Sequence, residues 1–163
     1  MLENKIFFKH KKKKQHIISE KLGMWRRTKV TKGGRRFSLS SLVMIKNEEN
    51  KSISFAYSSG KDSLTSFRKS IKKAQKKMIN YFHNVPRTIK KDVKIKYKST
   101  IILLKPASPG SGIKAGGVLN KLFKFIGIRD ISAKIIGSKK NKMNIIRASF
   151  MALDEITGKK YDY

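Results

Sequence analysis

The chain has 163 residues, with 40 Lys plus Arg against 10 Asp plus Glu, for a formal net charge of +30. Hydrophobic residues at 39% and aromatics at 9% suffice for one domain or two small ones, but a chain so charged repels itself until a polyanion neutralises it. The lack of cysteine excludes a disulfide framework, a zinc knuckle and a thiol nucleophile, and no apolar run approaches the roughly 18 residues of a membrane helix.

Residues 1–22 form a basic N-terminal extension carrying Lys11-Lys12-Lys13-Lys14, either a flexible tail or an arm ordered by RNA. Met1 to Lys14 lacks both the apolar centre of a signal peptide and the look of a transit peptide, so a cytosol-like environment is expected. A first domain spans 23–84. It opens with a short strand at Lys29 to Thr31, which turns at Lys32-Gly33-Gly34-Arg35 into a longer one. There Phe37, Leu39, Ser41, Val43 and Ile45 alternate with Ser38, Ser40, Leu42 and Met44. After a turn at Asn47 to Asn50, Ile53, Phe55 and Tyr57 alternate with Ser52, Ser54 and Ala56 in a third strand. A helix follows, capped by Asp62 or Ser63 and ending near His83-Asn84, with Leu64, Phe67, Ile71, Ala74, Met78 and Phe82 inward. Its other side carries Lys69, Lys72, Lys73, Lys76 and Lys77.

Residues 85–92 read as a linker, and a second domain covers 93–157. Val93, Ile95 and Tyr97 alternate strictly with Lys94, Lys96 and Lys98, giving a strand with one apolar and one basic face. Thr100 to Leu104 is a more buried strand. Lys105 to Gly117, rich in glycine, proline and serine, is expected to be loop throughout. Val118, Leu119, Leu122, Phe125 and Ile126 make a helix that Gly127 terminates; Ile131, Ala133 and Ile135 make a strand. A last helix, with Asn144 as its cap, turns Ile145, Ser149, Ala152, Leu153 and Ile156 inward, and 158–163 is a tail. The fold class is α+β in two small domains: ββα with an extra leading strand, then ββαβα.

Catalysis finds little support. His10, His16 and His83 have no nearby carboxylate to orient them, and the acids sit in turns and caps. Gly110-Ser111-Gly112-Ile113-Lys114-Ala115 fits G-x-G-x-x-A, and Asp130 follows Gly110 by 20 residues, as in a dinucleotide site. Pro106 and Pro109, however, separate the glycines from the strand, and too little chain remains for such a sheet. No enzyme, cofactor, metal, membrane or small-molecule substrate is expected. Lys32-Gly33-Gly34-Arg35-Arg36, with Arg26, Arg27 and Lys29 beside it, is either an ordinary hairpin turn or a loop tip thrust into RNA; the density of arginine favours the second. Trp25 is either a packing anchor or a stacking surface for a base.

Three ordered stretches carry a resemblance. Thr31 to Val43, then Leu104 to Gly117, then Gly127 to Ile131 with Gly137-Ser138 and Asn144 to Ala148 resemble the signatures of the fifth small-subunit ribosomal protein family, over roughly residues 25 to 157. The resemblance implies a double-stranded-RNA-binding-like first half with a three-stranded sheet and helix, and a βαβ-type second half. It implies a non-catalytic constituent of the small subunit, near the neck, that supports assembly and decoding accuracy. The implied partners are small-subunit rRNA, mRNA at the entry channel, and the fourth and eighth small-subunit proteins; the hairpin would reach the head–body junction, where the family's response to spectinomycin is set. The candidate RNA-binding residues are Arg26, Arg27, Lys29, Lys32, Gly33, Gly34, Arg35 and Arg36 on the hairpin. Lys105, Ser111, Lys114, Gly116 and Gly117 follow on the glycine loop, then Ser138, Lys139, Lys142, Asn144 and Arg147. The chain departs from the family at Lys46 to Gly60, where every usual glycine but Gly60 is replaced. Lysine outnumbers arginine 32 to 8, and isoleucine (20) exceeds valine (5) and alanine (7). RNA binding does not demand that ratio, so it points to an A/T-rich gene, in a plastid, a mitochondrion or an A/T-rich bacterium.

Overall fold

A computed structural model describes residues 17–49, 52–80 and 87–157. The Lys11 to Lys14 run, His10, His16, His83, the expected helix end at His83-Asn84 and the tail 158–163 lie outside the described residues. The first half is an antiparallel sheet of β1 (Ile17–Thr31), β2 (Gly34–Asn47), β3 (Ser52–Gly60) and β4 (Ile79–Asn80), in that order, with α1 (Ser63–Gln75) across it. The second half has β5 (Val93–Tyr97), β6 (Thr100–Pro106), β7 (Ile113–Ala115), α2 (Gly117–Ile126), β8 (Ile131–Gly137) and α3 (Lys142–Thr157), with strand order β5-β6-β8-β7. Among the described residues only β7 and β8 run parallel, joined through α2 as a βαβ unit. The α+β class and the two-part organisation are as expected. No helix among the described residues is long and apolar enough to cross a membrane.

Several elements differ from the sequence expectation. The leading strand starts at Ile17 rather than Lys29, pairing with β2 from Ile17↔Asn47 to Thr31↔Gly34 with an irregularity between Lys21 and Gly23. The residues Ile17 to Leu22 of the expected basic extension are therefore strand, and Leu22 is buried. An edge strand buries few side chains, so its alternation is faint in the sequence. A two-residue fourth strand, β4, adds to the three expected, pairing with Ser52 and Ile53.

The helix α1 stops at Gln75 and presents Ser66, Ser70 and Ala74 to the sheet, while Leu64 is 57% exposed. Small residues win this face because helix and sheet lie close together. The Ser70 hydroxyl bonds to the Ser41 and Ser66 carbonyls at 3.0 and 2.9 Å, and a side chain on Gly60 would begin 2.7 Å from the Ser66 nitrogen. The approach of α1 therefore leaves no room for a side chain at position 60. Asp62 occupies the N-cap position without a side-chain bond. At the start of α3 the cap is Asn141, not Asn144: its Oδ1 accepts from the Met143 and Asn144 amides at 3.1 and 3.4 Å. The loop expected over Lys105 to Gly117 contains β7, because Ile113-Lys114-Ala115 has no glycine or proline and finds the free edge of β8.

Leu42 to Ile45 of β2 are buried on both faces. Val43 and Ile45 share a small core with Ala56 and Ala74 under α1. Leu42 and Met44 join Leu22 and Ile53 in a larger core with Ile102, Leu104, Phe123, Ile146 and Phe150 of the second half. Phe55 of β3 stacks on Phe150 of α3 at 5.1 Å. The two halves thus share one core.

Candidate nucleic-acid interface

β3 pairs with β2 only as far as Leu39↔Gly60, so Arg27 to Thr31 and Gly34 to Ser38 continue as a two-stranded ribbon about 17 Å long. Arg26, Arg27, Lys29, Lys32, Arg35 and Arg36 are all exposed on or beside it. Register and alternation put Arg27, Lys29 and Arg36 on one face, and Arg26, Arg35 and Phe37 on the other. Lys29 stands directly opposite Arg36, a like-charge cross-strand pair that destabilises the free ribbon. The two neighbouring arginines rest on aromatics instead: the Arg26 guanidinium lies 3.6 Å over the Phe37 ring on the other face, and that of Arg27 lies 5.0 Å over Tyr57. Trp25 stacks on Tyr57 at 5.5 Å, which makes it a packing anchor at the ribbon's base. At the tip, Gly34 has φ +123, whereas Gly33 is outside the left-handed region, so one glycine rather than two supplies the turn. The Thr31 hydroxyl closes it by donating to the Gly34 carbonyl at 3.0 Å.

The second sheet packs one face on α3 and leaves the other open. Lys105 of β6 and Lys114 of β7 both pair with Ser132 of β8, from opposite sides, and so stand in one row; Lys94 and Lys134 flank Leu103 in the next. Lys94, Lys96 and Lys134 belong to this basic face but were not among the sequence candidates. The strict alternation of Lys94 and Lys96 with apolar residues was the available signal; for Lys134, only the strand pairing reveals it. Lys105 also approaches Asp92 at 3.8 Å, both exposed, a contact that contributes little.

The glycine loop above this face is held from beneath by Asp130, whose side chain is 3% exposed. One carboxylate oxygen accepts from the Gly110 and Gly112 amides at 3.1 and 2.9 Å; the other accepts from Arg87 Nε at 2.6 Å. The Arg87 bond, then the glycine amides, hold the Asp130 carboxyl below the usual carboxylate range against the opposing effect of burial. The acid whose spacing imitates a dinucleotide site is thus a clamp for the loop. Arg87 belongs to the segment expected as linker, and that segment is tied down: the Arg87 carbonyl accepts from Arg129 and Asp130, and Ile89 is buried. Ser111 is half-buried; Gly116 and Gly117 are exposed at the start of α2.

The third candidate group divides. Lys139 is exposed after β8, and the Ser138 amide and carbonyl bond to Ser99 and Thr100. Lys142 folds over Gly23 of β1, its Nζ 2.8 Å from where a side chain there would begin. Asn144 is buried, and Arg147 is half-buried with its Nη1 donating to the Tyr97 hydroxyl at 3.0 Å. The structure therefore brings together the hairpin residues as one ribbon and Lys105 with Lys114 as one face, and sets Asn144 and Arg147 apart from both.

Known proteins share this plan. Residues 18–80 match Ribosomal protein S5, N-terminal domain, and 95–161 match Ribosomal protein S5, C-terminal domain. The chain is 39% identical over 131 residues to small ribosomal subunit protein uS5 of Persephonella marina, covering 80% of this chain and 66% of that protein. It is 38% identical over 131 residues to the Campylobacter jejuni protein of the same name, covering 80% and 87%. With that of Treponema pallidum it shares 35% over 140 residues, covering 85% and 80%. These relatives are bacterial. Both domains match in order, and they are the two halves that share a core here, so the chain belongs to the Ribosomal protein S5 family, which is structural and non-enzymatic.

Proposed function

We propose that this chain is a structural constituent of a bacterial-type small ribosomal subunit, binding small-subunit rRNA through the β1–β2 ribbon and the open face of the second sheet. The like-charged pair Lys29↔Arg36 on a ribbon with no third strand among the described residues carries the reading. Such a pair weakens the free protein and is relieved only where phosphate lies against it. Arg26, Arg27, Lys32 and Arg35 extend the same surface, and Lys105 and Lys114 supply a second one. The Asp130 clamp presents Ser111 and the loop glycines in one conformation, so that backbone can lie close to a sugar-phosphate chain. Arg147 and Asn144 are left out of this surface by their burial.

At finer scale, the ribbon enters the head–body junction near the neck, and the protein borders the mRNA entry channel and the fourth and eighth small-subunit proteins. The lysine and isoleucine usage supports an A/T-rich genome, in a plastid, a mitochondrion or a bacterium. A free-standing double-stranded-RNA-binding module would need only the first half. The core that joins Leu22, Leu42 and Met44 to the second half argues against it. Co-sedimentation with small subunits through high salt, with cleavage of rRNA by radicals generated at position 32, tests the reading. Cleavage confined to junction helices is expected; loss of the protein in the salt wash, or cleavage scattered over the rRNA, overturns it.

A further inference from the structure

Beyond Ile53, the outer edge of β3 has no strand partner among the described residues, since β4 covers only Ser52 and Ile53. That open edge is the floor of a groove of 410 Å³ between α1 and α3. The wall formed by α1 and the turn after it carries the exposed Lys73 and Lys77 with Met78; the α3 wall carries Met143, Phe150 and Arg147. No acidic residue among the described residues lines it. From these observations we propose that the groove is a docking site for an extended segment of a partner protein, which adds a strand to β3 and alternates acidic with apolar side chains.

The alternation follows from geometry. Successive side chains of an added strand point to opposite faces of the sheet. On one face they meet the ammonium groups of Lys73 and Lys77, where carboxylates are favoured. On the other they meet Phe150 and Met143, where apolar groups are favoured and methionine adapts to differing shapes. Arg147 is held in the wall by its bond to Tyr97, and its cationic group adds to the charge of Lys73 and Lys77. A second copy of this chain, at +30, is repelled from such a site. RNA would gain the charges but leave the strand edge and the apolar wall unused. The proposal is independent of the rRNA reading, which rests on other surfaces.

The test uses the full chain and a synthetic peptide of about eight residues in which glutamate alternates with valine and phenylalanine, long enough to pair along the open edge. Slowed amide exchange within Ser54 to Gly60 is expected on binding. Methylating alternate peptide nitrogens should weaken binding about tenfold or more, as should Lys73→Glu with Lys77→Glu. Lys121→Glu, exposed on α2, should change affinity far less. Equal binding of the methylated peptide, equal loss from Lys121→Glu, or the same protection from an oligouridine of equal charge would each overturn the proposal.

Discussion

Gly33 and Gly34 look equivalent in the sequence, yet the turn at the ribbon tip distinguishes them. Gly34 sits at φ +123, where a β-branched side chain is strained by about 1–3 kcal/mol; Gly33 is not in that region and meets nothing within 4 Å. Gly33→Val should therefore leave the free protein's denaturant midpoint nearly unchanged, within about 0.5 kcal/mol, while Gly34→Val lowers it. Both should impair incorporation into small subunits, because either branched side chain holds the tip away from RNA. Normal incorporation of Gly33→Val would show that the tip touches nothing. Asp130 makes a second single-residue case. Its carboxyl is held below the usual range in the folded state, so its contribution is complete above the unfolded value of about 4 and is lost as pH falls through the lower, folded value. Acidification below about pH 4 should speed amide exchange at Gly110 and Gly112 before the core strands open. Asp130→Asn should reproduce that change at neutral pH, since its amide group cannot accept from Arg87 Nε while its oxygen serves both glycines. Unchanged exchange in the variant would mean that the loop holds itself.

The elements put the conflict between folding and binding where a single charge can expose it. Lys29→Glu turns the Lys29–Arg36 repulsion into an attraction, so the free protein should gain a few tenths to about 1 kcal/mol. RNA affinity should fall, and the slope of log K against log salt should become shallower by about 1. Opposite signs for stability and binding are the mark of a surface built for an anion; loss of both would make the ribbon an ordinary structural hairpin. The sequence shows such elements unevenly. β5 is plain because Val93, Ile95 and Tyr97 alternate with lysines across one covered and one open face. α2 is plain because Leu119, Leu122 and Ile126 keep helical spacing up to Gly127, which takes φ +104. The start of β1 is hidden, since this edge strand packs through just Ile17, Leu22 and Trp25. The buried face of α1 is partly misleading: Phe67, Ile71 and Ala74 pack on the core as their spacing indicates, but close approach buries Ser66 and Ser70 and leaves Leu64 exposed. Among the candidate site residues, the gathering of the hairpin cations on one ribbon was legible from their density. Lys134 was not, because its row with Leu103 and Lys94 exists only through pairing across three strands.

For the whole molecule the governing quantity is +30 in a small volume. A compact chain of this length has a radius of gyration of about 15 Å. At 0.01 M salt the screening length is about 30 Å, so every charge opposes every other; at 0.15 M it is about 8 Å, and only neighbours interact. The shared core cannot grow to compensate, because the same chain must keep a ribbon and a sheet face open. The melting temperature should therefore rise with ionic strength, by about 2–8 °C between these two salt concentrations for a gain of about 1–2 kcal/mol. Polyvalent anions should act at far lower concentration than chloride, because phosphate reaches the Lys29–Arg36 pair and the Lys105–Lys114 row together with the general field. A structured rRNA fragment from the head–body junction should raise the midpoint beyond what duplex RNA of unrelated shape achieves at equal phosphate concentration, since it also binds the folded ribbon by shape. A midpoint that does not depend on salt would show the charges to be compensated within the fold. Equal stabilisation by both RNAs would reduce the partner to any polyanion, and with it the claim that the ribbon and the second sheet are arranged for one RNA surface.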